Sequence, residues 1–538
     1  MSTPMSTRVT PKALLRTSWN LGLFDPTTPL AAVGGMATAG PSLALPYAIA
    51  AVRFPRRVAI IDDHGSLNYF ELCRRIERLA HAVHGAGIGP GDRVGILCRN
   101  HRGFVEVNAA VSRAGAVPVY LNTGFGTAQL REVVARESIV AVFHDREFSE
   151  VVTATGADSY LVVPEDDPDW SVPDLPAGAL AWHRPGTRPS IESVLMTSGT
   201  TGTPKGARRR GGNVDPAALG PLLALPHRRG ARTHIAAPLF HAWGLSQLAL
   251  AAIYAQTVRL RRQFVAERVL ADLGHQRTEI LIAVPVMLQR ILEAAPHGDS
   301  FVAGNLRTTA TSGSALSGSL AGRWMDAFGD NLHNFYGSTE VGHVALATPA
   351  DLRLAAGTAG RPIPGTTVRI VDESGSDVEA GATGRIVARN GAHFDGYTGG
   401  GSKALVDGFM ETGDLGCVDA HGLLHVTGRV DDMIISGGEN VFPGEVEEFL
   451  LGLDGIVDAA AVGLDDDEFG QVVGAIVVVE PGAALGVDEI RALVKAGLAR
   501  FKAPKQMALV DEIPRNPTGK ILRREVVALL GRAGSVRT

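Results

Sequence analysis

Residues 197–206 read TSGTTGTPKG, with five hydroxyl side chains, two internal glycines, a proline and a lysine in one short run. Leu195 and Met196 close an apolar run just ahead of it, which places the segment on a loop leaving a strand. Glycine lets backbone approach a ligand closely, hydroxyls and free N–H groups donate hydrogen bonds to anionic oxygens, and Lys205 adds a mobile point charge. Polyphosphate is the natural guest of such a loop. It is not a Walker A loop, because Lys205 follows Pro204 and precedes Gly206. A plain polar turn is the competing reading.

Around this loop, from Arg53 to about Ala350, short apolar runs alternate with helical patterns. Val58–Ile61, Arg93–Leu97 and Val117–Leu121 read as strands, Tyr69–Ala86 and Val105–Arg113 as helices. The alternation predicts βαβ units on parallel sheets. From Gly357 to Val426 the pattern changes to short alternating strands with glycine-rich turns, such as Thr367–Val371 and Arg385–Ala388, which predicts a barrel-like antiparallel section. Beyond Arg429 a helix is expected from Pro443, with Glu445, Glu447 and Glu448 near its positive end and an apolar face of Val446, Phe449, Leu450 and Leu453. The runs Ala459–Val462 and Ala475–Val479 and a helix carrying Ile490, Leu493, Val494 and Leu498 complete a small α+β unit. The expected fold class is α/β: a large domain over 1–428, with two βαβ-type sheet subdomains and a small barrel-like section, a hinge at 429–431, and a small mobile α+β domain over 432–538.

Composition sets outer limits. The 538 residues exceed one compact core, and 45% hydrophobic with 20% charged residues is the profile of a globular protein. A net charge of −5 offers no basic field for a nucleic-acid backbone. Cys73, Cys98 and Cys417 lie far apart without Cys-x-x-Cys spacing, which fits a reducing cytoplasm. Thr27–Val52 carries no charge over 26 residues, but Pro29, Gly34, Gly35, Gly40, Pro41 and Pro46 interrupt it. It reads as a buried or surface-packed lead-in, with peripheral membrane contact left open.

Six further motifs stand in order along the chain: PLFHAWG at 238–244, SGSAL at 312–316, NFYGSTE at 334–340, ETGD at 411–414, GRVDDMIISGGENVFPGEVE at 428–447 and PRNPTGK at 514–520. With TSGTTGTPKG they resemble, in sequence and spacing, the adenylate-forming superfamily of acyl-CoA synthetases, adenylation domains and luciferases. The resemblance covers almost the whole chain from Arg53. It implies that ATP activates a carboxylic acid as acyl-AMP, with Mg2+ as cofactor, and that CoA then takes the acyl group. Forcing two anions together demands cations and N–H donors aimed at the developing charge.

Residue by residue, the resemblance assigns Thr197, Ser198, Gly199, Thr200, Thr201, Gly202, Thr203 and Lys205 to the phosphates, and Glu340 with Thr197 to magnesium. Gly313, Ser314 and Ala315 would flank adenine and acyl group, with Asn334, Phe335, Tyr336 and Gly337 on the adenine side, Tyr336 stacked on its face. Thr339 would meet the α-phosphate, and Asp414 with Arg429 the ribose. His241 would orient the carboxylate. Trp243 and Val286, with Val284, Pro285 and Met287, would line an uncharged acyl pocket for an aliphatic or aromatic chain, and a medium- or long-chain fatty acid is the expected substrate. Lys520 would serve adenylation and Ser436, Gly437, Gly438 and Glu439 the CoA step, the small domain swinging about Asp431 between the two. Taken singly, several have ordinary readings: Glu340 as a surface acid, Tyr336 and Trp243 as core, His241 as structural, Asp414 and Arg429 as a surface ion pair, PRNPTGK as a basic loop.

Arg208, Arg209 and Arg210 depart from the apolar residues many relatives carry there; CoA phosphates, acidic lipid and solvent all remain readings for them. A fatty acyl-AMP ligase serving a carrier protein and a non-catalytic nucleotide-binding regulator are the rival functions. A homodimer is left open. No Gly-x-Ser-x-Gly elbow supports a serine hydrolase.

Overall fold

The structure is a computed structural model that describes residues 4–162, 190–197, 204–209, 220–275, 278–295, 304–436, 439–483, 485–517 and 519–535. Two largely parallel sheets carry the large domain. In one, strands run Asp158–Leu161, Ile139–His144, Arg93–Leu97, Val117–Tyr120, Ser193–Thr197 and Lys205–Arg209, all parallel except the last. The other has nine strands, with Ile280–Ala283 and Thr308–Thr311 near its middle and antiparallel strands at both edges. The helix Arg102–Arg113 is buried over its whole length, which explains why periodicity placed its start three residues late. Arg102 and Gly103 open the helix without an apolar side chain to mark its phase, and Arg102 is buried by pairing with Asp62.

A third, antiparallel sheet runs through Thr367–Val371, Gly384–Arg389 and Phe409–Val418 and is flanked by Leu424–Arg429. Its outer edge strand is Met5–Ser6, paired with Val368 and Thr367. After the 3₁₀ turn Val430–Asp432, the chain enters a fourth sheet built on the long hairpin of Ile456–Asp466 and Gly470–Val479. The helix Pro443–Leu451 covers it with Val446 and Leu450 buried, while Phe449 and Leu453 are half-buried at its margin.

The uncharged N-terminal segment is helical. Three helices, α1 (Pro11–Leu21), α2 (Thr27–Ala39) and α3 (Leu45–Arg53), precede the first strand of the nine-stranded sheet. Pro29 and Pro46 fall in first turns, where a missing N–H costs nothing, and so start helices instead of breaking them. Gly35 lies inside α2 because a Cβ there would stand 2.6 Å from Ile49 Cγ1 of α3. Of the glycines that interrupt the uncharged run, Gly35 is a helix-packing position and Gly40 ends α2 at φ +60°.

Candidate active site

The site forms where strands of both parallel sheets end. Thr197 closes one strand, and Val284, Gly313 and Tyr336 lie at or just past the C-terminal ends of Ile280–Ala283, Thr308–Thr311 and Leu332–Ser338. Ligands of open α/β sheets gather at such ends. Thr197 pairs with Lys205, and its Oγ1 donates to the Lys205 carbonyl at 3.0 Å, so a strand pair closes the base of the phosphate loop. Ser198, Gly199, Thr200, Thr201, Gly202 and Thr203 lie outside the described residues, as do Gly437 and Gly438.

Lys205 Nζ stands 5.3 Å from the centroid of the Tyr397 ring, and the Tyr397 hydroxyl donates to Glu340 Oε1 at 3.0 Å. One aromatic ring thus spaces the cation from the acid. Glu340 Oε2 has no hydrogen-bond partner among the described residues, which leaves a carboxylate oxygen of the hard donor type that magnesium takes.

The strand Lys205–Arg209 is anchored by contacts that local sequence does not announce. Arg209 donates to the carbonyls of Thr339 at 2.7 Å and Ala392 at 3.0 Å, so it is a half-buried strut and not a solvated loop charge. Burial lowers its pKa. Buried Glu137 accepts from Thr398 Oγ1 at 2.8 Å, across 261 residues of chain, and pairs with Arg93 and Arg136. Arg136 also donates to the Pro204 carbonyl.

Where the ribose is expected, Tyr336 donates its hydroxyl to Asp414 Oδ2 at 2.7 Å, and Arg429 Nη1 meets Asp414 Oδ1 at 3.2 Å. Burial raises the Asp414 pKa against the pull of Arg429, and it drives the Tyr336 phenol up, with Asp414 adding to it. Asn334 is buried and donates to the Thr358 carbonyl, and Phe335 is buried against Trp243 and His343, so both make scaffold contacts. Gly337, Ser314, Ala315 and Thr339 remain partly or fully exposed at the cleft.

His241 precedes the helix Ala242–Ile253, whose N-terminus faces the site. Burial, then the charge of Lys520, pull its pKa down to about 3, so the ring is neutral at any working pH. Trp243 is 5% exposed, and its Nε1 donates to the Ala283 carbonyl at 3.0 Å. That bond holds the indole in place. Val284 and Met287 are buried beside it, with Val286 half-buried at the cleft.

Lys520 comes from the small domain. Its loop is braced: Lys520 N–H donates to Asn516 Oδ1 at 3.0 Å, Arg515 donates to the Gly519 carbonyl at 2.9 Å and to Asp458 at 2.8 Å, and Gly519 rests on Val286. Lys520 is exposed as a residue, but its Nζ feels Arg429, Asp414, Glu340 and Asp432, and the desolvation of that end, followed by Arg429, lowers its pKa. Asp431, the expected hinge, sits exposed in the 3₁₀ turn, 3.8 Å from Arg429. Ser436 and Glu439 pair with each other in the small domain's own sheet. Beside the Lys520 loop, a cleft of about 750 Å3 opens between the domains; Arg99, Arg261, Arg262, Arg290 and Arg515 line it, each already paired with a carboxylate.

One polar cluster lies apart. Cys98, His101 and Asp145 are buried with their donor atoms within 4.8 Å of one another. His101 Nδ1 accepts from Gly103 N–H at 3.0 Å, which puts the proton on Nε2 for its 2.7 Å bond to Asp145. Both ring nitrogens are committed, and the cluster ties together two strand ends.

A strand-end crevice bordered by the Thr197–Lys205 strand pair and the Tyr336–Asp414–Arg429 cluster, with Lys520 brought to it from the C-terminal part of the chain, has the architecture expected of a nucleotide-dependent ligase. Comparison with known families agrees: the AMP-binding enzyme model matches residues 48–398, and the AMP-binding enzyme C-terminal domain matches 445–520. The chain belongs to this family of adenylate-forming, ATP-dependent acid–thiol ligases. It is 35% identical to a feruloyl-CoA synthase from Amycolatopsis over 88% of this chain and 96% of that one. It is 31% identical to the fatty acid–[acyl-carrier-protein] ligase ScoC of Streptomyces coeruleorubidus over 88% and 93%. Among solved structures, the o-succinylbenzoate CoA synthetase of Bacillus subtilis with its acyl-adenylate superposes with a TM-score of 0.77 at 26% identity, covering 89% of this chain and 97% of the other.

Proposed function

We propose that the protein is an AMP-forming acid–CoA ligase whose substrate bears no charge beyond its carboxylate, with an aryl or arylalkenoic acid as the favoured class. The observation that carries the reading is Lys520, held by a braced loop from the small domain beside His241, Asp414 and Glu340. A protonated Lys520 together with Lys205 offsets the repulsion between the acid and the α-phosphate. Neutral His241 adds no negative charge and orients the carboxylate by hydrogen bonding. Asp414, fixed by Tyr336 and Arg429, accepts from the ribose hydroxyls. Glu340 and Thr197 would hold the magnesium ion, which neutralises phosphate charge.

The uncharged wall of Val284, Val286, Met287 and Trp243 supports an apolar acyl group, and relatives named for feruloyl-CoA and o-succinylbenzoate chemistry favour an aromatic one. A medium- or long-chain fatty acid is the second reading, favoured by the likeness to the fatty acid ligase ScoC. For the thiol step, rotation about Asp431 would replace Lys520 with the 436–439 turn.

Formation of AMP and pyrophosphate across a panel of hydroxycinnamic, benzoic, arylacetic and fatty acids, with and without CoA, tests this. Acid-dependent AMP formation with aryl acids, and thioester only with CoA, is expected. No AMP with any acid would sink the ligase reading, and preference for fatty acids would move the substrate to the second one.

A further inference from the structure

Helices α1 and α2 lie ahead of residue 48, where the family match begins. The helix α2 contains no charged residue, and Ala31, Gly35 and Ala39 bury one of its faces against α3. Its other face is also apolar and bare: Leu30 is 74% and Val33 70% exposed, with Met36 one turn further on. The surface continues through Leu23 and Phe24 to Trp19, 71% exposed, and to Leu15 and Leu14 on α1, the Trp19 and Phe24 rings lying 6.3 Å apart. A helix apolar on every side belongs inside a core or against lipid, and a contiguous bare patch of this kind marks an interaction surface.

Charge identifies the occupant. Residues 1–57 hold six basic side chains, Arg8, Lys12, Arg16, Arg53, Arg56 and Arg57, against a single acid, Asp25, in a chain whose net charge is −5. Asp25 is taken by Arg53 at 3.2 Å and Arg229 at 4.0 Å, while Arg8, Lys12, Arg16 and Arg56 are exposed. Apolar side chains with an interfacial tryptophan, bordered by unopposed cations, match the two layers of an anionic membrane surface. No helix among the described residues is long and apolar enough to cross a membrane. We propose that α1 and α2 form a docking surface that lays the molecule on an anionic phospholipid bilayer. This does not depend on which acid the ligase activates.

The test is flotation of the full chain with vesicles of phosphatidylcholine alone or mixed with phosphatidylglycerol. The protein is expected to float with the mixed vesicles, less so in high salt. The double variant Leu30→Glu/Val33→Glu, altered at exposed positions only, should lose at least about tenfold in binding. Lys12→Gln should lose about fivefold. Thermal melting and ATP consumption of both variants should match the parent protein. Absence of flotation at low salt, or flotation of the double variant at the parent level, overturns the proposal. A dimer that Leu30→Glu/Val33→Glu splits, without vesicle binding by either form, would assign the patch to a second copy instead.

Discussion

Gly519 stands against Val286 so closely that a Cβ built on it would lie 2.8 Å from Val286 Cγ1, and its φ is +81°. The small domain's loop therefore meets the acyl wall at a position only glycine fills without strain. Gly519→Ala adds left-handed strain and a contact that exists only when the loop is docked. Adenylation should fall about tenfold, while thioester formation from supplied acyl-AMP stays near the parent rate. Equal loss in both half-reactions would contradict a loop that works in one pose.

Lys520 must be protonated to act as a cation, and desolvation of its Nζ with Arg429 lowers its pKa. The acid form is lost as pH rises through the lowered value, so adenylation should decline on the alkaline side at a lower pH than a fully solvated lysine would give. Lys520→Arg keeps the charge and should remove that decline while lowering the maximal rate. pH profiles of pyrophosphate release for both proteins check this.

The Tyr336 hydroxyl bonds a carboxylate that is 8% exposed. Tyr336→Phe leaves Asp414 Oδ2 without that donor, at about 1–3 kcal/mol, and frees the carboxylate to turn from the ribose. The KM for ATP should rise about tenfold with the KM for CoA unmoved. A change confined to CoA would place the pair elsewhere in the reaction.

Four histidines of the large domain, His227 and His234 buried and His241 and His343 half-buried, are held neutral by loss of hydration: His227, His234 and His343 at about 4 and His241 at about 3. Their folded pKa values lie below the unfolded one, so the unfolded chain binds more protons. The stability they contribute is present above the unfolded value near 6.5 and is lost as pH falls toward the folded ones. Each should cost about 1–2 kcal/mol between pH 6.5 and 5, before most carboxylates titrate. Urea midpoints measured across that window should drop steeply; a flat profile would refute the neutral assignment.

Motif order singled out residues that the structure brings together: Tyr336, Asp414 and Arg429 meet directly, and Lys205 and Glu340 flank the Tyr397 ring. Strand Arg93–Leu97 and strand Thr367–Val371 were legible to the residue, since apolar runs between turn residues mark their own ends. The supports were not. Glu137 and Thr398 meet across 261 residues, and nothing near either records the other. Arg209 looked like loop charge because its acceptors are backbone carbonyls of distant segments, which carry no side-chain signature. Prolines in α2 and α3 misled because composition does not tell a first turn from an interior one.

Met5 and Ser6 complete the edge of the third sheet by pairing with Val368 and Thr367. On the ribosome, this strand therefore waits for its partner until the more than 360 residues between Met5 and Val368 have been made. Throughout that delay the bare apolar side chains of α1 and α2 follow a strand with no partner, and nascent chains in that condition are the natural clients of chaperones.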